Sequence, residues 1–516
     1  MKKRNILLLL NLFITISYAN SYKATLSRFN IKDFGAVDDG KTINTKFIQK
    51  AINAAHEENG GVVVFPKGKF VSGTLIIKSN IHFLFEEGSF LLGSKNPGDY
   101  PKLDLKNERV SSKTDDNSKL ALIWGYKANN ISITGKGIID GQGRPLALAI
   151  DSLHHKGVIV DPNYSGRPSE TLRPKIINFL KCEKVAVSGI TIKNSASWVQ
   201  TYDLCKFVTI ENIKVNSTAY WNNDGINITD SRHVRIRNCD VNAADDGITL
   251  KSYFEDEYND DVIISNCRVR SSASAIKFGT ASIGGFKNIT IDSISVYDTF
   301  RSAIAIETVD GGFIENVHVS NINAINTGNA IFVRLGYRSG KKPGKLKNVT
   351  FKNIKVQIPF GRPDLNYDLR GPATGYFHNR HPASIVGIQG ANISGVVLEN
   401  VEISYPGRAS KGMAYIPLWR LDDVPENIDH YPEYTMFGEL PSWAFYVRYV
   451  EGITFNNIKL RLEDSDYRPA FVFHHVQDIA IENLELPMGL EYQIVTKGVQ
   501  VISADSASSN QIKKFD

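Results

Sequence analysis

Val185-Ala186-Val187-Ser188-Gly189-Ile190-Thr191-Ile192 sets out four apolar residues at offsets 0, 2, 5 and 7, and the chain repeats that pattern nine more times. The later copies begin at Val208, Val234, Val262, Ile289, Val317, Val349, Val396, Ile453 and Ile479. The first five intervals are 23, 26, 28, 27 and 28 residues. Offset 4 is Asn in eight of the ten copies: Asn212, Asn238, Asn266, Asn321, Asn353, Asn400, Asn457 and Asn483. Alternation with period two marks a strand with one buried face, and recurrence every 20–50 residues marks a stacked array. Together they predict an all-β chain folded as a right-handed parallel β-helix, one copy per coil. The Asn residues should stack at one bend, because Asn tolerates turn conformations and bonds nearby backbone.

Working outward, Cys182 and Cys205 are spaced like Val185 and Val208, and Cys239 and Cys267 like Val234 and Val262. Each pair should therefore sit on adjacent rungs, either as small buried residues or as a disulfide. Before the repeats, Phe47, Ile48, Ala51, Ile52 and Ala55 recur at helical spacing. They predict one amphipathic helix over 44–58 that caps the end of the stack. After Gly336 the intervals lengthen to 32, 47 and 57 residues. The added sequence predicts loop insertions near 361–390 and 404–451, where Trp419, Tyr431, Tyr434, Trp443 and Tyr446 either stack on sugars or bury the loops. Residues 20–502 read as one β-helix domain and 503–516 as a polar tail.

Lys2, Lys3 and Arg4 precede an apolar run from Ile6 to Ile16 and the small residues Ser17 and Ala19. Residues 1–19 thus read as a cleavable signal peptide for a secreted or periplasmic protein, too short to span a membrane. Without its three positive charges the net charge of +6 falls to +3. That is too slight for a nucleic-acid partner, and no second apolar run suggests a membrane one. The chain is expected to be monomeric, with no cofactor and no metal.

The chemistry is concentrated between Trp221 and Lys251. There Asn222-Asn223-Asp224-Gly225-Ile226 is echoed 22 residues later by Ala244-Asp245-Asp246-Gly247-Ile248. If that interval is one coil, Asp224 and Asp246 lie on neighbouring strands about 4.8 Å apart, with Asp245 beside them. Three carboxylates this close repel, so one should hold its proton well above the ordinary range. An acid beside an ionised base is what hydrolysis of a glycosidic bond requires. A doubled Asp is more than an Asp-Gly turn needs.

Four stretches resemble glycoside hydrolase family 28, the polygalacturonase and rhamnogalacturonase group: Asp33-Phe34-Gly35-Ala36, Gly137-Ile138-Ile139-Asp140-Gly141-Gln142-Gly143, Asn222-Asn223-Asp224 and Asp245-Asp246. The resemblance implies single-displacement hydrolysis with inversion, Asp245 acting as general acid and Asp224 and Asp246 activating water. Two family motifs are absent. Aligning Ile226, Ile248, Ile276, Ile304 and Ile331 puts Ser274 where the family has His. The same register puts Ala305 and Glu307 where it has the Arg and Lys that hold a galacturonate carboxylate. Asn222, Ser274, Glu307, Lys251, Lys277, Arg301 and Arg334 are the candidate substrate-binding residues, Lys251 and Lys277 being nearest the carboxylates. The expected partner is a pectic or related polysaccharide, cut where the sugar is neutral or held differently. A polysaccharide lyase on the same fold and a non-catalytic glycan-binding β-helix are the alternatives.

Overall fold

In a computed structural model, the described residues are 26–103, 105, 108, 118–363, 379–487 and 490–515. The segment read as a signal peptide lies outside them. Between the first coil and the last, each coil contributes strands to three parallel rows. The first row holds offsets 0 and 2 of the repeat, so Val185 pairs with Val208, Val208 with Val234 and Val234 with Val262. The second row holds offsets 5 and 7, pairing Ile192 with Val215 and Val215 with Val241. The third runs through 200–203, 226–229, 248–252 and 276–282. There Ile226, Ile248, Ile276, Ile304 and Ile331 are successive partners, the register expected from the sequence. The array is a right-handed parallel β-helix, and its main apolar core runs unbroken from Ile31 to Ile494.

The bend between the first two rows explains the Asn repeat. All eight Asn residues, together with Gly189 and Ser293 of the other two copies, have positive φ. Asn reaches this left-handed region at less cost than most residues. Their amides form a ladder at the surface: Asn353 Nδ2 donates to Asn321 Oδ1 at 2.9 Å, Asn400 to Asn353 at 3.0 Å and Asn457 to Asn400 at 2.7 Å. Asn238 likewise donates to Asn212 at 3.3 Å. A second left-handed position, one residue before offset 0, went unread. Lys184, Phe207 and His233 hold it in the early copies, but Asp261, Asn288, Asn316, Asn348, Gly395, Gly452 and Asp478 hold it in the later ones, where Asn316 donates to Asn288 and Asn348 to Asn316, each at 3.2 Å.

The four Cys residues are buried free thiols. The helix spans Thr45–Glu57 and buries Ile48, Ala51, Ile52 and Ala55 against strands of the first coils. Two expected loops contain strand. Ala383–Val386 adds a third-row strand inside 361–390, and the second insertion enters from a strand ending at Tyr405 and leaves through one starting at Phe445. Residues 364–378 lie outside the described set. The segment from Ser503, read as a polar tail, also enters the array. Ile502 pairs with Ile479, and Ile512–Phe515 pairs with Ile494–Lys497. It looked polar because Lys513 and Lys514 are exposed on this last strand, where charge discourages edge-to-edge pairing.

Candidate active site

The corner leading into the third row carries the three carboxylates. Asp224 and Asp246 each stand two residues before a third-row strand, with Ser274 in the equivalent place on the next rung. Gly225 N–H donates to the Asp246 carbonyl at 2.9 Å, and Gly247 N–H to the Ser274 carbonyl at 2.9 Å. Neither glycine is in the left-handed region. A Cβ on Gly225 would meet the Gly247 carbonyl oxygen at 2.5 Å, and one on Gly247 would meet Val269 Cγ1 at 2.4 Å. The doubled Asp-Gly therefore records close stacking of coils, not a turn.

Burial makes these charges expensive. Asp224 is 3% exposed and Asp246 5%. Asp246 Oδ1 accepts from Ser274 N–H at 3.0 Å, and Asp245 Oδ1 from Asp246 N–H at 3.0 Å. Lys251 Nζ lies 3.4 Å from Asp224 Oδ2. Lys277 Nζ lies 3.7 Å from Asp246 Oδ2 and 3.8 Å from Glu307 Oε2. Burial pushes the Asp224 carboxyl well above the ordinary range, with Lys251 pulling it back and Asp245 and Asp246 pushing it further. Burial likewise raises Glu307 to about 8, against the pull of Lys277. Lys277 is itself held well above the ordinary lysine range, its burial outweighed by Asp246 and Glu307.

The structure thus brings Asp224, Asp245, Asp246, Ser274, Lys251, Lys277 and Glu307 to one place. Glu307 faces Lys277, so this carboxyl is turned to a partner within the protein. Arg301 pairs with Glu433 of the second insertion. Among the described residues, Arg334 makes no hydrogen bond to the carboxylates. It donates to the carbonyls of Gly387 at 3.1 Å and Glu426 at 2.7 Å, fastening the insertion to the array. Asn222 has a φ of 60° and turns its Oδ1 to Arg173 Nη2 at 2.8 Å. Arg173, Trp198, Tyr431 and Glu433 complete the surroundings. Trp198 is covered by two ammonium groups, Lys175 Nζ 4.9 Å and Lys251 Nζ 4.6 Å from its ring centre. The Tyr431 hydroxyl meets Lys277 Nζ at 3.3 Å. Arg173 and Glu433 carried no signal, since each comes from a distant stretch outside the repeat.

The insertion aromatics divide. Trp443, Tyr446 and Tyr434 are buried, whereas Trp419 is 73% and Tyr431 52% exposed. Tyr434 and Tyr446 join Leu421, Phe437, Leu440, Ala305 and Phe332 in a second apolar cluster on the outer side of the third row. Ala305 is therefore roofed by the insertion. Among the described residues, one group of three side chains has metal-ligand geometry: Asp422, His474 and His475. Lys497 Nζ already sits 2.6 Å from Asp422 Oδ2 there.

The family model described as glycosyl hydrolases family 28 matches residues 101–419, and one described as rhamnogalacturonase A/epimerase, pectate lyase-like, matches 28–85. The chain is 25% identical over 384 residues to a probable polygalacturonase of Vitis vinifera, covering 73% of this chain and 69% of that protein. It is 25% identical over 386 residues to an exo-poly-alpha-D-galacturonosidase of Dickeya chrysanthemi, covering 64% of this chain and 62% of that protein. The matched region thus spans just under two thirds of the second relative and slightly more of the first. The structure of the Yersinia enterocolitica family 28 exopolygalacturonase superimposes with a TM-score of 0.63 at 19% identity, covering 94% of this chain and 79% of that one. With its paired Asp stretches inside the matched region and its coils built alike, the chain belongs to the glycosyl hydrolases of family 28.

Proposed function

We propose that this glycosidase is a secreted, inverting hydrolase of pectic polysaccharide, with Asp245 as general acid and Asp224 and Asp246 as the pair that activates water. The observation that carries the reading is three carboxylates on two adjacent rungs, two of them buried against lysines. In this reading Asp245 gives its proton to the leaving oxygen as water attacks the anomeric carbon from the opposite face. Asp224 and Asp246 take the proton the water loses, so both must be ionised beforehand. Lys251 and Lys277 favour that ionised state without touching substrate. The lysine partners also speak against the lyase reading, in which the carboxylates would gather a divalent cation.

Substrate choice follows from what is already paired. Lys251 is committed to Asp224, Lys277 to Asp246 and Glu307, and Arg301 to Glu433. A uronate at the cleavage site would be buried without its own cation, which costs several kcal/mol. The preferred bond therefore has a neutral sugar at that position, as in a branched pectic region. We read the apolar side chains that the insertion packs over Ala305 as a wall beside the carboxylates, which favours removal of units from a chain end. Hydrolysis of polygalacturonate and of a rhamnogalacturonan, compared side by side with products identified, tests this. Efficient cleavage of plain polygalacturonate would overturn the substrate assignment, and products released from mid-chain would overturn the end-acting one.

A further inference from the structure

Beyond the far ends of the third-row strands, the chain turns into the strands that begin at Gly285, Phe313 and Lys345, and an open groove of about 740 Å3 follows that corner. Pairing register puts Lys287, Glu315 and Lys347 in one column, one per rung, with Phe313 and Lys345 in the next. Rungs are about 4.8 Å apart, so the two outer lysines of that column lie roughly 10 Å from each other. Lys341 and Lys342 complete the rim from the 336–344 loop. Against these five ammonium groups stand Glu255, 3.5 Å from Lys341, and Glu315, 3.4 Å from Lys347. Asp310 is buried and held by Arg338 at 2.9 Å, so it presents no charge to the groove. One wall carries Tyr258 and Phe313, with ring centres 5.5 Å apart. The floor is backbone at Gly284 and Gly312, where a Cβ would strike carbonyl oxygens at 1.8 and 2.3 Å.

We propose that this groove is a second, non-catalytic binding site for a stretch of acidic polysaccharide. A uronate-bearing chain offers carboxylates at regular intervals for a line of lysines and apolar ring faces for an aromatic wall. A net charge of only +6 over the whole chain makes five lysines around one groove a local concentration, not a general property. Among the described residues, none of the large exposed apolar side chains lies in the groove, which argues against a lipid surface. Such a site would hold acidic stretches of a polymer while the catalytic corner cuts elsewhere on it. The inference is independent of the roles given to Asp224, Asp245 and Asp246.

The test uses the full chain with Asp245→Asn to prevent turnover, alone and combined with Lys287→Gln, Lys342→Gln and Lys345→Gln. Affinity electrophoresis with long polygalacturonate should show a dissociation constant raised about tenfold or more in the combined variant, as expected when complementary charge is removed. Binding to a neutral galactan should not change. A single Lys345→Glu change should weaken polygalacturonate binding in the same direction, and thermal melts of all variants should coincide. With Asp245 intact, the triple lysine variant should hydrolyse a short oligosaccharide at the native rate. Unchanged polygalacturonate affinity, or no measurable affinity before substitution, would overturn the proposal. So would a loss confined to vesicles of anionic phospholipid, which would make the partner a membrane.

Discussion

The Asn bend and the carboxylate corner both stack one side chain per rung, but one is neutral and wet and the other charged and nearly dry. At the bend, Asn353 gives an amide hydrogen to Asn321 and takes one from Asn400, which in turn takes one from Asn457. An amide is both donor and acceptor, so identical residues satisfy one another. At the corner, Asp224 and Asp246 repel each other, so stacking identical residues there needs an added counter-charge on each rung. Lys251 supplies it to Asp224 one-to-one, while Lys277 is shared between Asp246 and Glu307. A repeat that stacks by itself is structure. One that stacks only with imported cations costs stability, and it is there that we place the function.

The widest gap between the two should appear on removing the carboxylates. Asp245→Asn, Asp224→Asn and Asp246→Asn should each lower kcat by about 10²–10⁴, the usual worth of a positioned proton donor or acceptor. Asp245→Asn should leave the fold intact, whereas Asp224→Asn and Asp246→Asn also deprive Lys251 and Lys277 of a buried partner and should lower the melting temperature as well. Near-native turnover by Asp245→Asn on a substrate with a poor leaving group would remove it from the acid role. Next in size is Lys277→Met. This leaves Asp246 and Glu307 facing each other without the buried ammonium, and breaking a buried pair in this way costs about 3–5 kcal/mol. A large drop in melting temperature is expected, partly recovered by adding Glu307→Gln. Recovery is the informative arm, because it occurs only if Glu307 is an internal partner of Lys277.

A smaller and more specific effect concerns pH. Burial holds the Asp224 carboxyl above its ordinary value, and Lys251 pulls it down. If Asp224 must be ionised to act on water, activity falls as pH falls through that raised value. Replacing Lys251 with Met removes the downward pull, so the acid limb of kcat/KM should move to higher pH. A limb that stays in place would mean another group sets it.

The sequence carried the first two sheet rows and the third-row register because buried apolar positions must repeat wherever coils stack. Ile226, Ile248, Ile276, Ile304 and Ile331 could be paired from their spacing alone. It carried the placing of Asp224 and Asp246 on neighbouring rungs for a related reason: the glycines beside them leave no room for a Cβ between rungs. What it could not carry was who answers those charges. Lys251 and Lys277 were visible as cations near the site, available in principle to a sugar carboxylate, yet they face Asp224, Asp246 and Glu307. Arg334 lay in the same register and is turned to backbone carbonyls of Gly387 and of Glu426 in the second insertion. Strand register fixes which rung a residue occupies, while long side chains and inserted loops decide what it touches. The roof over Ala305 was hidden for that reason, since its apolar residues follow no period.

The smallest effect belongs to the bend. Asn353 has a φ of 56° and sits mid-ladder at the surface. Asn353→Ala removes two amide hydrogen bonds, each worth about 0.5–1.5 kcal/mol net and less where water can replace them. It also puts a Cβ-bearing residue without a polar side chain into the left-handed region, at roughly 1–2 kcal/mol. Asn353→Gly loses the same hydrogen bonds but no longer suffers in that conformation. The two variants therefore separate the ladder from the backbone. If conformation is the main reason for Asn, the glycine variant should melt close to the native protein and the alanine variant lower. If the ladder matters more, both should fall together. We expect the first outcome, because the amides are exposed and water competes for them, and equal losses in both variants would reverse that ranking.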